Sequence, residues 1–375
     1  MIIKRAYNLE KYIQKNRVLI IYGARRVGKT TLLKEFLNNT SLKYKLDTGE
    51  NIRLQELFYN RDIKSILQYL EGYEIFAIDE AQYIKNIGDI LKIIVDYSEN
   101  ISVIATGSSS FELSGQIGEP ITGRKRTLLL YPFSIKELNN IYNRFELKEN
   151  IEDFLIYGTY PEVVTSKKRE EKIEILDELV NSYLLKDILA FEKVRAASTL
   201  LNLLRLIAFQ IGQLVSLNEL ATQLKIDVKT VQKYLDLLEK TFVIKKIEGF
   251  SGNMRKVVTS KSKYYFIDNG IRNAVISNFN SMNLRNDIGM LWENFFVMER
   301  IKKLTYDRIM PVSFHFWRTY DGQEIDLIEI IDGKITAYEI KWNKKKIKIP
   351  KKWKENFSDS KFIPLTQDNF LYYLL

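Results

Sequence analysis

One octapeptide constrains this chain more than any other feature. Gly23-Ala24-Arg25-Arg26-Val27-Gly28-Lys29-Thr30 follows a short apolar run, Arg17 to Tyr22 (RVLIIY), and leads into an amphipathic stretch starting at Thr31, TLLKEFLNN. Strand, glycine loop and helix therefore arrive in the order that a phosphate-binding loop requires. Gly23 and Gly28 permit the tight turn. The backbone N–H groups from Ala24 through Arg25, Arg26 and Val27 to Thr31, at the start of the helix, face phosphate oxygens. Lys29 reaches the β and γ phosphates, and Thr30 supplies a hydroxyl to Mg²⁺.

The next two apolar runs add the remaining parts of such a site. Glu74 to Ile78 (EIFAI) ends in Asp79-Glu80, which puts carboxylates at the carboxyl end of a parallel strand. Asp79 is expected to hold Mg²⁺ through water, and Glu80 to orient or deprotonate the attacking water. Ile101 to Ala105 (ISVIA) ends in Thr106-Gly107-Ser108-Ser109-Ser110, a polar tip where either Thr106 or Ser108 senses the γ-phosphate. Arg124 and Arg126 follow in ITGRKRTLLLYPF. An arginine there stabilises charge on the transferring phosphoryl group, from its own chain or from a neighbouring subunit, or is simply a surface cation. The loop chemistry alone specifies a nucleoside triphosphate and no particular base.

Composition narrows the other chemistries. At 375 residues, 46% hydrophobic and 28% charged, the chain reads as two or three globular domains. No stretch approaches the roughly 18 to 20 apolar residues needed to cross a bilayer, and MIIKRAYNLEKYIQKNR is charged where a secretory apolar region would lie. A cytoplasmic protein without membrane spans is expected. With no cysteine and a single histidine, His315, thiolate zinc sites, iron–sulfur clusters and two-histidine sites are excluded, so any metal must have oxygen ligands. His315 sits between Phe314 and Phe316 and reads as a packed strand residue. A net charge of +10 makes nucleic acid a candidate partner.

Residues 166 to 210 have the three- and four-residue spacing of helices and read as packing, although Tyr183 and Asp187 form a Y-x-x-x-D pattern. Beyond them, Ser216 and Glu219 mark the start of one short helix (SLNELATQLKI) and Asp227 caps a second (VKTVQKYLDLLEKT). The strand Phe242 to Ile247 and a glycine-containing segment, GFSGN, complete the order of a helix-turn-helix with a wing. Lys229, Thr230, Gln232 and Lys233 occupy the start of the second helix, where such modules touch a groove. DNA contact and a role as a rigid connector are equally open.

The last third begins with a strand and turn, KYYFIDNGIRNAV, followed by a helix over Asn286 to Leu304 that presents Glu293. VSFHFWR, EIDLIEII and ITAYEIK are strand-like, with Asp321-Gly322 and Asp332-Gly333 as hairpin turns. Alternation puts Glu339 and Lys341 on one face, and a hairpin partner brings Asp326 beside them. Glu293, Asp326 and Glu339 are candidate Mg²⁺ ligands, with Lys341 completing a site that could position water against a phosphodiester. No proline precedes Asp326. Lys341 to Lys354 (KWNKKKIKIPKKWK) holds eight lysines and no acid, with Trp342 and Trp353 between them. That pattern suits phosphate neutralisation and base stacking, or a solvated lysine face.

GARRVGKTTLL, AIDEAQ, TGSSS, GRKRTLLLYPFSIKEL and YGTYPEVV together resemble the prokaryotic and archaeal AAA-type ATPases whose C-terminal part is called DUF4143. The resemblance runs from about Ile3 to the last strand. It implies ATP as the nucleotide and subunit assembly into a homo-oligomer. For the C-terminal part it implies a restriction-endonuclease-like fold of the PD-(D/E)xK type. The expected architecture is α/β: an AAA-type P-loop NTPase core over residues 1–165, a helical connector and winged helix over 166–260, and a mixed α/β nuclease-like domain over 261–375. Two outputs remain open: an ATP-driven, Mg²⁺-dependent enzyme on DNA, or a nucleotide-dependent switch whose inactive C-terminal domain binds a protein or DNA.

Overall fold

The computed structural model describes the backbone of residues 3–98, 100–108, 121, 123–184, 197–250, 261–343 and 347–375. Five parallel strands form the first sheet: β1 (Val18–Tyr22), β2 (Tyr44–Thr48), β3 (Ile75–Asp79), β4 (Ser102–Gly107) and β5 (Lys125–Leu129), in the order β2-β3-β4-β1-β5. Both faces are covered, so the three inner strands β1, β3 and β4 are buried along almost their whole length, and the period of two assigns their residues to two cores. Leu19 and Ile21 pack with Leu32, Leu33 and Leu37 of α1 (Lys29–Asn39). Val18 and Ile20 pack with Ile87, Ile90, Leu91 and Ile94 of α2 (Ile87–Tyr97). Because β4 is inserted between β1 and β3, the carboxyl ends of these three strands lie side by side.

Helices follow, including α3 (Ile151–Tyr157), α4 (Arg169–Glu178) and α5 (Ala197–Phe209). The two short helices expected next are α6 (Leu217–Leu224) and α7 (Val228–Lys240), capped by the side chains of Ser216 and Asp227. Strands β6 (Leu214–Val215), β7 (Ile244–Gly249) and β8 (Ser262–Phe266) lie beside them. Then come α8 (Asn269–Val275), α9 (Ile288–Tyr306), β9 (Val312–Arg318), β10 (Glu324–Ile331), β11 (Lys334–Ile340), α10 (Lys351–Asn356), β12 (Lys361–Leu365) and α11 (Phe370–Leu374). The Asp332-Gly333 pair, both at positive φ, closes a two-residue hairpin with Ile331 opposite Lys334.

The second sheet has seven strands in the order β12-β11-β10-β9-β7-β8-β6. It joins the middle of the chain to the end of it, because β7 pairs in parallel with β9 through Glu248 opposite His315 and Gly249 opposite Phe316. The cut expected at 260/261 therefore runs through one ladder: β8, expected in the last domain, pairs antiparallel with β7 from Ile244–Phe266 to Ile247–Lys263. Hydrogen bonding between strands fixes this association, and local sequence does not encode it.

The lysine-rich run needs a second correction. Trp353 is buried at 1% exposure, with its ring 4.4 Å from Phe357 and 5.3 Å from Trp317, and Trp342 meets Trp292 edge-on at 5.4 Å. The Trp353 indole is used inside the protein and offers no face for base stacking, whereas Trp342 is half-buried. Lys344 to Lys346, Asp187, Ser109, Ser110 and most of the GFSGN segment lie outside the described residues, as does the side chain of Tyr183. Among the described residues no helix is long and apolar enough to cross a membrane.

Candidate nucleotide site and C-terminal carboxylate cluster

Gly23 to Thr30 connect β1 to α1. A Cβ on Gly23 would lie 2.0 Å from the Leu130 carbonyl oxygen, so the loop needs glycine there. Gly28, in the left-handed region, caps α1. Ala24 and Val27 are buried, Arg25 and Arg26 half-buried, and Thr31 exposed. Lys29 is 4% exposed, and its ammonium donates to the carbonyls of Gly23 and Ala24 at 3.0 and 2.9 Å. The cation is thus folded over the mouth of the loop, held by groups that phosphate oxygens can replace.

Thr30 Oγ1 donates to Asp79 Oδ2 at 2.8 Å. Thr106 Oγ1 donates to the other oxygen of the same carboxylate and accepts from the Glu80 amide at 3.1 Å. Of the two hydroxyls left open, Thr106 is the one joined to Asp79; Ser108 is buried two residues further on. Glu80 sits in the left-handed region at φ 51, and its carboxylate accepts from the Gln82 side chain. A hydroxyl beside a carboxylate is a hard-oxygen donor set, so Thr30 and Asp79 fit Mg²⁺.

Arg124 does not belong to the site of its own chain. It precedes β5, whose Lys125 lies opposite Val18, whereas the loop leaves the other end of β1, where Tyr22 is opposite Leu129. At about 3.3 Å per residue the separation is roughly 16 Å along the strand. Its guanidinium is paired with Asp96 instead. Arg126, at the same end, donates to the Lys11 carbonyl at 3.5 Å. Any role for either at a nucleotide must be exercised on another subunit.

Two arginines, one within the loop and one outside it, tie the loop to the rest of the chain. Arg26 pairs with Glu162 at 3.2 Å and with Glu178, at the end of α4, at 2.9 Å. Arg5, buried at 7% exposure, donates to the Val27 carbonyl at 2.9 Å, to the Tyr131 carbonyl at 2.7 Å and to the Tyr306 hydroxyl of α9 at 3.1 Å, and pairs with Glu137 at 2.8 Å. Nothing in the pattern around Arg5 signals this, since its partners lie up to 301 positions away.

In the last third of the chain the four residues expected to converge do so. Asp326 lies where the β9–β10 register shifts between Ile325 and Ile328, and its carboxylate accepts from the Ile340 amide at 2.7 Å and the Lys341 ammonium at 3.2 Å. Lys341 also pairs with Glu339 at 2.7 Å. Glu293 accepts from the Tyr265 hydroxyl at 2.7 Å and from Lys263 at 3.2 Å. Lys263 pairs with Glu324 at 2.7 Å as well. Burial, with the Asp326 charge adding to it, pushes the carboxyls of Glu293 and Glu339 up to about 7, against the pull of Lys263 and Lys341 respectively. Burial by itself would lower the Lys263 ammonium, but the charges of Glu293, Asp326 and Glu324 hold it above its ordinary value.

Glu293, Asp326 and Glu339 were the expected metal ligands. Among the described residues no group of three histidine, cysteine or acidic side chains is placed to hold a metal ion. The Lys341 ammonium stands between Asp326 and Glu339, and the Lys263 ammonium between Glu293 and Glu324. Lys263, Tyr265 and Glu324 were missed from sequence because they come from a strand of the middle region and from the start of β10. His315 is half-buried, its ring 5.8 Å from that of Phe250, with burial lowering its basicity, as suits a packed strand residue.

A glycine loop closing on its own lysine, with Thr30, Asp79, Glu80 and Thr106 beside it at the ends of adjacent parallel strands, is the arrangement of a P-loop that takes the phosphates of a nucleotide. Comparison with known families is more specific. Residues 15–139 match the family described as an AAA domain, residues 148–282 a domain of unknown function (DUF8612) and residues 288–373 a domain of unknown function (DUF4143). An uncharacterized protein of Mycobacterium tuberculosis is 25% identical over 91% of this chain and 74% of its own length. One from Haemophilus influenzae is 26% identical over 73% of this chain and 74% of its own length. A solved structure, a RuvB variant of Thermotoga maritima, is 18% identical over 61% of this chain and 81% of its own, with a TM-score of 0.29. The chain contains an AAA domain and a C-terminal DUF4143 domain.

Proposed function

We propose that this chain is an ATP-hydrolysing molecular switch, whose nucleotide state is passed to C-terminal domains that bind a partner. The observation that carries this reading is the double grip on the phosphate-binding loop: Arg26 ties it to Glu162 and Glu178, and Arg5 ties Val27 to Tyr306 of α9. Any shift of the loop on binding phosphate acts on both contacts. In the reaction, Lys29 exchanges the Gly23 and Ala24 carbonyls for phosphate oxygens, and Glu80, released by Gln82, takes the proton of the attacking water. Thr30 and Asp79 would hold Mg²⁺, which neutralises charge on the β and γ phosphates. Thr106 keeps Asp79 and the Glu80 backbone in register. The Lys29→Ala variant should lose nucleotide binding, whereas Glu80→Gln should bind ATP and turn it over at least a hundredfold more slowly. Equal turnover in both variants would refute these roles.

The partner is open to a direct test. Lys229, Gln232 and Lys233 are all exposed near the start of α7, which α6 precedes across a tight turn; this supports reading the pair as a winged-helix module on DNA. Duplex DNA should then stimulate ATP turnover at 50 mM salt, with a loss between 50 and 200 mM that shrinks in Lys229→Ala. Arg124 is assigned to the site of a neighbouring subunit in a homo-oligomer, so Arg124→Ala should lower turnover without weakening ATP binding.

A further inference from the structure

We propose that the C-terminal carboxylate cluster carries a resident cation, the Lys263 ammonium, in place of the divalent metal that its acidic residues suggest. The inference rests on reading the C-terminal half as a binding module and is independent of ATP turnover. Lys263 has a side chain 2% exposed and lies 2.7 Å from Glu324 and 3.2 Å from Glu293. A magnesium ion needs its oxygens at about 2.0 to 2.1 Å in octahedral array. It cannot share the space between these carboxylates with an ammonium in contact with both.

Nor can the ammonium easily leave. β8 is paired on both sides at this position, with Ile247 on β7 and Leu214 on β6, and the ammonium lies 5.5 Å from the centre of the Phe316 ring. The pairing fixes the Lys263 backbone, and its side chain, 2% exposed, is enclosed where it stands. The other expected ligands are also engaged: Asp326 by the Ile340 amide and Lys341, and Glu293 by Tyr265 as well as Lys263. Glu293, Glu324, Asp326 and Glu339 are matched by Lys263, Lys341 and Arg318, the last 3.4 Å from Glu324, so the cluster is close to neutral without an added ion. Lys263 thereby fastens a strand of the middle region to α9 and β10 of the C-terminal domain.

Mn²⁺ titration of the full-length protein without nucleotide, followed by electron paramagnetic resonance, tests this. Wild type and Glu293→Gln should bind Mn²⁺ identically. Lys263→Met should gain a site at least tenfold tighter than any in wild type, and Asp326→Asn added to it should remove that site. A saturable wild-type site that disappears in Glu293→Gln or in Asp326→Asn would overturn the proposal, as would a folded Lys263→Met protein that gains no site. The wild-type and Glu293→Gln titrations decide the matter if Lys263→Met does not fold. ATP turnover in the same preparations reports separately on the nucleotide site: its absence from wild type would count against the switch and leave the Mn²⁺ result standing.

Discussion

Asp79 receives a hydroxyl on each oxygen, from Thr30 and from Thr106, so its carboxylate is aimed by two strands and a helix at once. Thr106→Val keeps the shape and removes one of the two, leaving the Glu80 amide without its acceptor as well. Turnover should fall about ten- to a hundredfold while ATP affinity changes less than threefold, as single-turnover and binding measurements would show. The C-terminal cluster gives a residue-scale prediction in pH. Glu293 holds its proton up to about 7 in the folded protein against an ordinary 4.5, so between these values the folded state binds more protons than the unfolded one. Stability from this group is present below pH 4.5 and falls as pH rises to 7. Glu293→Gln should therefore gain on wild type across that window, by on the order of 3 kcal/mol in urea denaturation. A difference that stays flat from pH 4.5 to 7 would contradict the assignment.

At the scale of elements, the segment Tyr157-Gly158-Thr159-Tyr160-Pro161 shows why a motif can be visible and its purpose hidden. Gly158 ends α3 at φ 73, and a Cβ there would come within 1.9 Å of the Asp268 carboxylate. That carboxylate caps α8 through the amides of Gly270 and Ile271 and accepts from the Thr159 amide at 2.7 Å, so it cannot step aside. Lys302 of α9 donates to Thr159 Oγ1 at 3.2 Å and to Glu299 at 2.7 Å, which continues the buried network to the Ile135 amide. Gly158→Ala should cost roughly 3 kcal/mol or more, seen as a lowered melting temperature, and Gly158→Asn should be at least as harmful, because its Cβ meets the same carboxylate and φ 73 with ψ −162 lies outside the left-handed region that asparagine tolerates. From sequence the phosphate loop, the Asp79-Glu80 strand end, the two capped helices and the Asp332-Gly333 hairpin were legible, since each is set by spacing and capping within a few residues. The partners of Gly158 were not, because Asp268 and Lys302 are over a hundred positions away.

For the whole molecule, the seven-stranded sheet makes the middle and C-terminal regions one cooperative body. A fragment starting at 261 would carry β8 without β7, and should be largely unfolded by circular dichroism, whereas one from 140 to the end should fold. Two separately folding halves on either side of 260 would refute this. The loop contacts predict a long-range signal too. ATP should change hydrogen exchange in α4 and α9 of the wild-type protein, and Arg26→Ala should abolish the change in α4 while retaining ATP binding.

The sequence by itself determined the chemistry of the amino-terminal site, because a loop that binds phosphate through its backbone needs glycines, a lysine and a hydroxyl at fixed local spacing. It also brought out the acids and Lys341 at the other end. Only the tertiary structure decided what those acids face. Lys263 arrives from a different region of the chain, and Arg124 falls at the end of the sheet away from its own loop. Strand pairing and order set such placements, and these follow from the burial of whole faces against one another rather than from any run of neighbouring residues.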